Sequence, residues 1–213
     1  GITYTGKISL TNGADLYLED FTSSISYSTY YYYVGYGSRL TISSGTTIRA
    51  TSSLSQTIYV TKYGGTTDGG EKRLFDGMLM IENGTISTAG TSLITNYGYI
   101  GMSGGTLTNT NTTTSTTTIK TVIQNYGQVE MTAGNIKFST PSTKAYGILN
   151  MATNGGSITL GQTDSSNSNM PYIEPMWDQQ KGYSIYNKGI QPKGTKASIT
   201  FTGDMYECIV YLD

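Results

Sequence analysis

The sequence predicts an all-β fold in which short parallel strands stack into a solenoid of about seven coils. Three observations lead to this prediction. A short apolar phrase recurs along the chain, Gly and Asn residues border it, and no stretch shows apolar residues at helical spacing over several turns. Charged residues make up only 13% of the 213 positions, against roughly 25% in an average soluble domain. Polar but uncharged strand faces are therefore expected.

The recurring phrase reads apolar, any, apolar, any, any, Gly, as in "LTISSG", "LMIENG" and "VEMTAG". Alternate side chains of a strand share one face, so both apolar positions point inward. The first position predicts a stack of Ile8, Leu40, Leu79, Ile100, Val129, Ile158 and Ile199. The second predicts a stack of Leu10, Ile42, Ile81, Met102, Met131, Leu160 and Phe201. The methionines are thus interpreted as core filler.

A second phrase precedes the later copies, in the forms "ITNYG", "IQNYG", "ILNMA" and "IYNKG". Gly and Asn tolerate positive φ, which a sharp corner between strands requires, so the Asn-Gly pairs at 12–13, 83–84 and 154–155 are predicted to form corners. The second phrase places Asn96, Asn125, Asn150 and Asn187 at one repeated position. The variable spacing of the phrases favours stacked coils with insertions over a series of hairpins. An antiparallel β-sandwich remains the alternative fold.

The segments "NYGYIGMSGGTL" and "NYGQVEMTAGNI" resemble the coils of right-handed, single-stranded parallel β-helix proteins of the pectin-lyase-like class. They also resemble repeats of exported surface proteins from gut bacteria, and the resemblance covers residues 4 to about 204. It implies one domain over residues 1–213 with inserted loops at about 50–77 and 161–183. It also implies an extracellular or cell-surface location, with an export signal removed before Gly1. Enzymes, adhesins and tailspikes share this fold, so the resemblance does not fix an activity.

Composition and residue types exclude several functions. The net charge is −1, which gives no basic footprint for nucleic acid, and no apolar run is long enough to insert into a membrane. The chain has no histidine, the commonest general base and metal ligand, and no cofactor motif. Lyases and hydrolases of the class that the chain resembles use calcium-binding acidic clusters or paired aspartates with a histidine. This sequence shows neither arrangement, so no catalytic or metal-binding residue is assigned.

The segment 161–183 is the strongest candidate for ligand binding. It contains the only tryptophan, Trp177, close to Tyr172, Glu174 and Asp178. A sugar site needs a flat apolar ring for stacking and polar groups for the hydroxyls. The alternative is a loop that folds over the side of the solenoid with Trp177 as its own small core.

The run "SYSTYYYYVGYG" raises a separate question, because strand alternation places Tyr30 and Tyr32 on one side and Tyr31 and Tyr33 on the other. The first pair is predicted to join an aromatic ladder with the next coil. Tyr31 and Tyr33 are predicted either to face outward or to cover the first coil, as an aromatic cap, a lateral patch or rings that stack on a sugar.

These observations predict a non-catalytic extracellular module, adhesin-like or glycan-binding, whose partner is a polysaccharide or a host or bacterial surface glycan. Two alternatives stay open. One is a polysaccharide lyase or hydrolase-like enzyme, or a degenerate relative of one. The other is a structural stalk or fibre segment, in which the tyrosines would be buried between chains.

Overall fold

The computed structural model describes residues 3–26, 31–51, 56–63, 76–113, 117–138, 145–162, 170–174, 182–188, 197–206 and 208–212. In these ranges the protein is almost entirely β, with one 3-10 turn at Ala152–Asn154. Every ladder between its strands is parallel. The described part contains no helix with the length and hydropathy that a membrane span requires.

The strands form three rows, which the chain visits in turn. Row 1 holds β3 (Asp15–Leu18), β6 (Arg39–Ile42), β9 (Met78–Ile81), the first part of β12 (Tyr99–Asn109), the first part of β14 (Gln128–Phe138), β16 (Ser157–Leu160) and β19 (Ser198–Phe201). Row 2 holds β1 (Thr3–Tyr4), β4 (Thr22–Ile25), β7 (Thr47–Ala50), β10 (Thr85–Thr88), the later parts of β12 and β14, and β17 (Tyr172–Ile173).

Row 3 holds β2 (Ile8–Leu10), β5 (Tyr32–Val34), β8 (Gln56–Val60), β11 (Ser92–Asn96), β13 (Lys120–Asn125), β15 (Ala145–Met151), β18 (Gly182–Lys188) and β20 (Val210–Leu212). One passage through the three rows is called a circuit below. Two segments predicted as insertions contribute strands, since β8 lies within 50–77 and β17 within 161–183.

The core lies between the rows and consists of the inward positions of each strand. In row 1 the predicted stack from Leu40 to Ile158 is confirmed, with exposures of 0–1% and the expected register. Met102 and Met131 are 2% and 1% exposed, as core filler should be. The prediction fails at the far end, where Phe201 is 55% exposed because it lies in the last strand of its row among the described residues.

Ile8 and Leu10 are wrongly placed by the sequence prediction. Ile8 pairs with Tyr32 in row 3, and Leu16 and Leu18 occupy the first row-1 positions. The phrase "ISLTNG" fits the pattern, but its Gly13 turns the chain from row 3 into row 1. The corner after β3, which joins row 1 to row 2, carries Asp20, a non-glycine residue with φ 47°, so the pattern missed it.

The four asparagines of the second phrase lie within strands of row 3 and not at corners. Asn96, Asn125, Asn150 and Asn187 lie in register at inward positions of row 3, and the first three are fully buried. Each Nδ2 donates to the Oδ1 of the next asparagine at 2.8 Å. This asparagine ladder also donates to backbone carbonyls of the following corners, for example from Asn125 to Ser157 at 3.1 Å. The circuit before Asn96 has Val60 at the same register position, and a valine has no amide to donate to Asn96. The Asn96 Oδ1 therefore has no donor among the described residues.

Glycine occupies the corner between rows 1 and 2 in the circuits after the first, where circuits pack backbone against backbone. Gly134 has φ 101°, and a Cβ there would lie 2.6 Å from the Gly104 carbonyl oxygen. We expect Gly134→Ala to lower the free energy of unfolding by about 2–3 kcal/mol, because strain and overlap add. Urea unfolding followed by circular dichroism measures this loss.

Gly37→Ala is the matched control for that substitution. Gly37 also has positive φ, at 69°, but the nearest atom to a Cβ would be 4.0 Å away. Only the conformational cost of about 1 kcal/mol is expected there. Equal losses for the two variants would show that backbone overlap at Gly134 contributes nothing.

Candidate functional site

A polar groove follows the corner between rows 1 and 2 across several circuits. It consists of two adjoining cavities of about 310 and 370 Å³ that share Asn83, Gly105 and Asn135. Its floor is formed by the stacked glycine corners, where a Cβ on Gly104 would meet the Glu82 carbonyl oxygen at 2.1 Å. The corner groove, as we call it, is lined by Gly45, Thr46, Thr47, Glu82, Asn83, Gly84, Thr85, Ser103, Gly104, Gly105, Thr106, Ala133, Gly134, Asn135, Met170 and Tyr206.

The polar walls of the corner groove come from equivalent positions in successive circuits. Thr47, Thr85, Thr106 and Asn135 are in register at the outward start of the row-2 strands. Asn83 is exposed, and its Oδ1 accepts from the Gly84 backbone N–H at 2.8 Å, which orients the side chain. The groove therefore offers hydroxyl and amide groups repeated at the strand spacing of roughly 4.8 Å.

The carboxylate of Glu82 lies in the same wall. The Tyr17 hydroxyl lies 3.4 Å from Glu82 Oε2 and 2.7 Å from Ser43 Oγ, so its single proton is shared between these two acceptors. Glu82 is exposed, so both carboxylate oxygens remain accessible to a ligand. A carboxylate beside amides and hydroxyls provides acceptors and donors in the mixture that a polyhydroxylated ligand uses.

One end of the corner groove is aromatic. Tyr206 lines it, is 47% exposed and packs edge-to-face on Tyr172 with ring centroids 5.8 Å apart. The Tyr206 backbone N–H donates to the Pro171 carbonyl at 3.1 Å, so the short β17 segment holds this ring in place. The exposed part of the Tyr206 ring offers apolar surface for stacking.

The six residues predicted as ligand-binding separate into three places. Trp177 and Asp178 lie outside the described residues. Tyr172 adjoins the corner groove through Tyr206. Glu174 ties the end of β14 to row 3, because its Oε2 accepts from the Phe138 N–H at 2.7 Å and its carbonyl accepts from Ser184 Oγ at 3.1 Å.

Tyr31 and Tyr33 lie at the opposite end of the chain, next to a cavity of about 230 Å³ that Lys7 also lines. For Tyr31 the outward alternative is wrong, because the residue is 1% exposed and its N–H donates to the Thr57 carbonyl at 3.0 Å. Tyr32 is also buried, at 0%, whereas Tyr30 lies outside the described residues. The prediction assumed that side chains alternate between two faces, as they do within a strand. Tyr31 lies before β5, which begins at Tyr32, so this rule does not apply to it.

Tyr33 belongs to a row of tyrosines on the outer side of row 3, the tyrosine stripe. Its ring stacks on Tyr59 at 6.1 Å, Tyr59 contacts Tyr97 at 5.6 Å, and Tyr97 stacks on Tyr126 at 4.5 Å. The predicted aromatic ladder exists, but Tyr33 rather than Tyr32 begins it. A second cluster further along the row joins Tyr146, Tyr183, Tyr186 and Tyr211.

Sequence reasoning missed the residues that build the corner groove: Glu82, Asn83, Asn135 and Tyr206. The pair Asn83–Gly84 was interpreted only as a corner, and nothing in the sequence indicates that Asn135 follows it in space. No group of three His, Cys, Asp or Glu side chains that could hold a metal ion occurs within the described ranges.

Comparisons with protein-family models, with curated proteins and with solved structures find no match to this chain.

Proposed function

We propose that this chain is a right-handed, single-stranded parallel β-helix of about seven coils, in which each circuit is one coil. Three rows of parallel strands visited in turn support this interpretation. Connections between parallel strands of one sheet are right-handed in nearly all proteins, which favours the right hand here. The pectin-lyase-like class is the class that such an architecture fits.

We further propose that the chain is a non-catalytic extracellular module that binds a polysaccharide or a surface glycan in the corner groove. The proposal rests on the composition of the groove, in which the amides of Asn83 and Asn135 and the Glu82 carboxylate line the same cavity as the Tyr206 ring. A glycan chain along the groove would meet one set of hydrogen-bonding groups per coil. Tyr206 would stack on a sugar at the end of that chain.

Binding to a panel of soluble and insoluble polysaccharides, with released sugar assayed in the same tubes, tests this proposal. We expect one class of glycan to bind without release of sugar. Tyr206→Ala should weaken that binding about tenfold or more, equivalent to ~1.4 kcal/mol. Asn135→Ala should also weaken binding, because the groove then loses an amide on its shared wall.

Tyr36→Ala and Lys137→Ala are matched controls. Tyr36 is 52% exposed but lies outside the groove, and Lys137 lies two residues beyond Asn135 on the same strand. Trp177→Ala tests whether the segment 161–183 contributes to glycan binding. Equal affinities for Tyr206→Ala and Tyr36→Ala would overturn the corner groove as the site, and released sugar would favour the enzyme alternative. A stable trimer that binds no glycan would favour the stalk alternative.

A further inference from the structure

The rings of one pair in the tyrosine stripe lie closer together than those of the other pairs in it. The rings of Tyr97 and Tyr126 lie 4.5 Å apart with an interplanar angle of 2°, and both are partly exposed. By contrast, Tyr36 and Tyr63 meet edge-on at 66° with centroids 5.7 Å apart. The stacked pair joins corresponding corners of adjacent circuits, because Tyr97 follows Asn96 and Tyr126 follows Asn125 in the asparagine ladder.

We infer that Tyr97 and Tyr126 form an oxidative modification site, at which one-electron oxidation joins the two rings in an intramolecular dityrosine cross-link. Each phenol gives up one electron and its hydroxyl proton and becomes a phenoxyl radical with spin on the ortho carbons. The two radicals couple through one Cε of each ring. Each coupled carbon then releases its hydrogen, the phenol oxygen takes up a proton, and both rings regain aromaticity.

The step balances with a peroxide as oxidant. Two tyrosines and one hydrogen peroxide give one dityrosine and two water molecules, with a haem peroxidase carrying the electrons singly. The protein loses the mass of two hydrogen atoms. The inference does not depend on the proposed glycan site, which lies at the corner between rows 1 and 2.

The stacked arrangement favours this coupling for a geometric reason. When the new bond forms, each ortho carbon becomes tetrahedral and the bond stands perpendicular to the ring plane, so the rings must approach face to face. Parallel rings at 4.5 Å hold ring carbons close to contact, whereas an edge-on pair presents a face to an edge. Neighbouring parallel backbone ladders hold both corners in register, which keeps the rings together.

The hydrogen-bonding environment keeps the Tyr126 ring in place. Gln124 Nε2 donates to the Tyr126 phenol oxygen at 2.6 Å, from the outer side of the same strand. Tyr99, two residues beyond Tyr97, donates to Glu130 Oε2 at 2.8 Å and is thereby engaged elsewhere. Tyr183 and Tyr211 are also nearly parallel, at 4.6 Å and 16°, and are expected to react as a second site.

The test is oxidation of the dilute folded chain by a haem peroxidase and hydrogen peroxide, followed by tryptic peptide mapping. Cleavage after Arg73, Lys120 and Lys137 places Tyr97 in peptide 74–120 and Tyr126 in peptide 121–137. We expect blue dityrosine fluorescence, a monomer on a denaturing gel, and a linked pair of peptides 74–120 and 121–137 that is lighter by two hydrogens than their sum. Methionine sulfoxides add oxygen and are distinguished by mass.

Tyr97→Phe and Tyr126→Phe should each abolish this linked pair, whereas Tyr99→Phe should leave its yield unchanged. The linked chain should also unfold at a higher urea concentration, because a bond between adjacent circuits restricts the unfolded state. Three results would overturn the inference. The first is a yield of the Tyr97–Tyr126 cross-link that is no higher in the folded chain than in urea. The second is an equal yield of cross-link between the edge-on rings of Tyr36 and Tyr63. The third is an unchanged yield of the linked peptide pair in Tyr126→Phe.

Discussion

Replacing Asn125 by alanine is expected to lower the free energy of unfolding by about 3–5 kcal/mol, from the cost of leaving several buried groups unpaired. The Asn125 Nδ2 donates to Asn150 Oδ1 at 2.8 Å and to the carbonyls of Gly127 and Ser157 at 3.1 Å. Its Oδ1 accepts from Asn96 Nδ2 at 2.8 Å. Alanine removes all of these partners at once from a position that is fully buried, and a cavity adds to the loss.

Urea unfolding followed by circular dichroism measures this effect, and Gln124→Ala is the matched control. Gln124 is the adjacent residue, is half-buried on the outer side and makes one side-chain hydrogen bond to Tyr126. Its loss should be under about 1 kcal/mol, as for an ordinary hydrogen bond near the surface. If the two variants lost similar amounts, the asparagine ladder would not be the cooperative network that its geometry indicates.

Asn125→Asp separates the donors of the ladder from its acceptors. An aspartate keeps the oxygen that accepts from Asn96 but loses the donors to Asn150, Gly127 and Ser157. Two oxygens of facing side chains would then meet without a hydrogen between them. We therefore expect this nearly isosteric variant to be at least as unstable as the alanine variant at neutral pH. The stability of this variant should partly recover in acid, because a protonated carboxyl group can donate a hydrogen bond.

The second large effect is a loss of stability above pH 10, which we expect because Tyr32 is fully buried. Burial raises the pKa of Tyr32 from 10.0 to about 12, an effect that the nearby Ser23 hydroxyl opposes and Tyr4 reinforces. Below pH 10 the phenol is neutral in both states. Between pH 10 and 12 the unfolded chain releases this proton while the folded chain retains it, so stability falls as pH rises. Two pH units correspond to about 2.7 kcal/mol.

Tyr32→Phe tests this assignment directly. Ser23 lies near the Tyr32 hydroxyl but forms no hydrogen bond of normal geometry with it, so phenylalanine should leave stability at pH 7 unchanged or raise it by up to about 1 kcal/mol. The fall in urea midpoint between pH 10 and 12 should become smaller. Tyr126→Phe should reduce the fall less than Tyr32→Phe does. Burial also raises the pKa of Tyr126, but this ring is only partly covered. An unchanged alkaline slope in Tyr32→Phe would contradict the prediction.

The sequence by itself determined the strand composition, the parallel stacking and most of the core. Alternating apolar residues followed by glycine specify a strand and its corner through local physics, so the row-1 stack from Leu40 to Ile158 was predictable. The same phrase misplaced Ile8, because a local pattern does not say which of three rows a strand joins. Leu16 takes that position because it pairs with Leu40 across 24 residues.

Tertiary structure alone decided the roles of the asparagines, the tyrosines and the corner groove. The sequence shows Asn96, Asn125 and Asn150 only as a repeated residue type, whereas pairing across circuits makes each side chain the hydrogen-bond partner of the next. Glu82 and Asn135 are 53 residues apart in sequence and line one cavity because successive corners stack. Local preference acts within a few residues, whereas ladders, stacked rings and grooves depend on which circuits become neighbours, and packing of the whole core selects those neighbours.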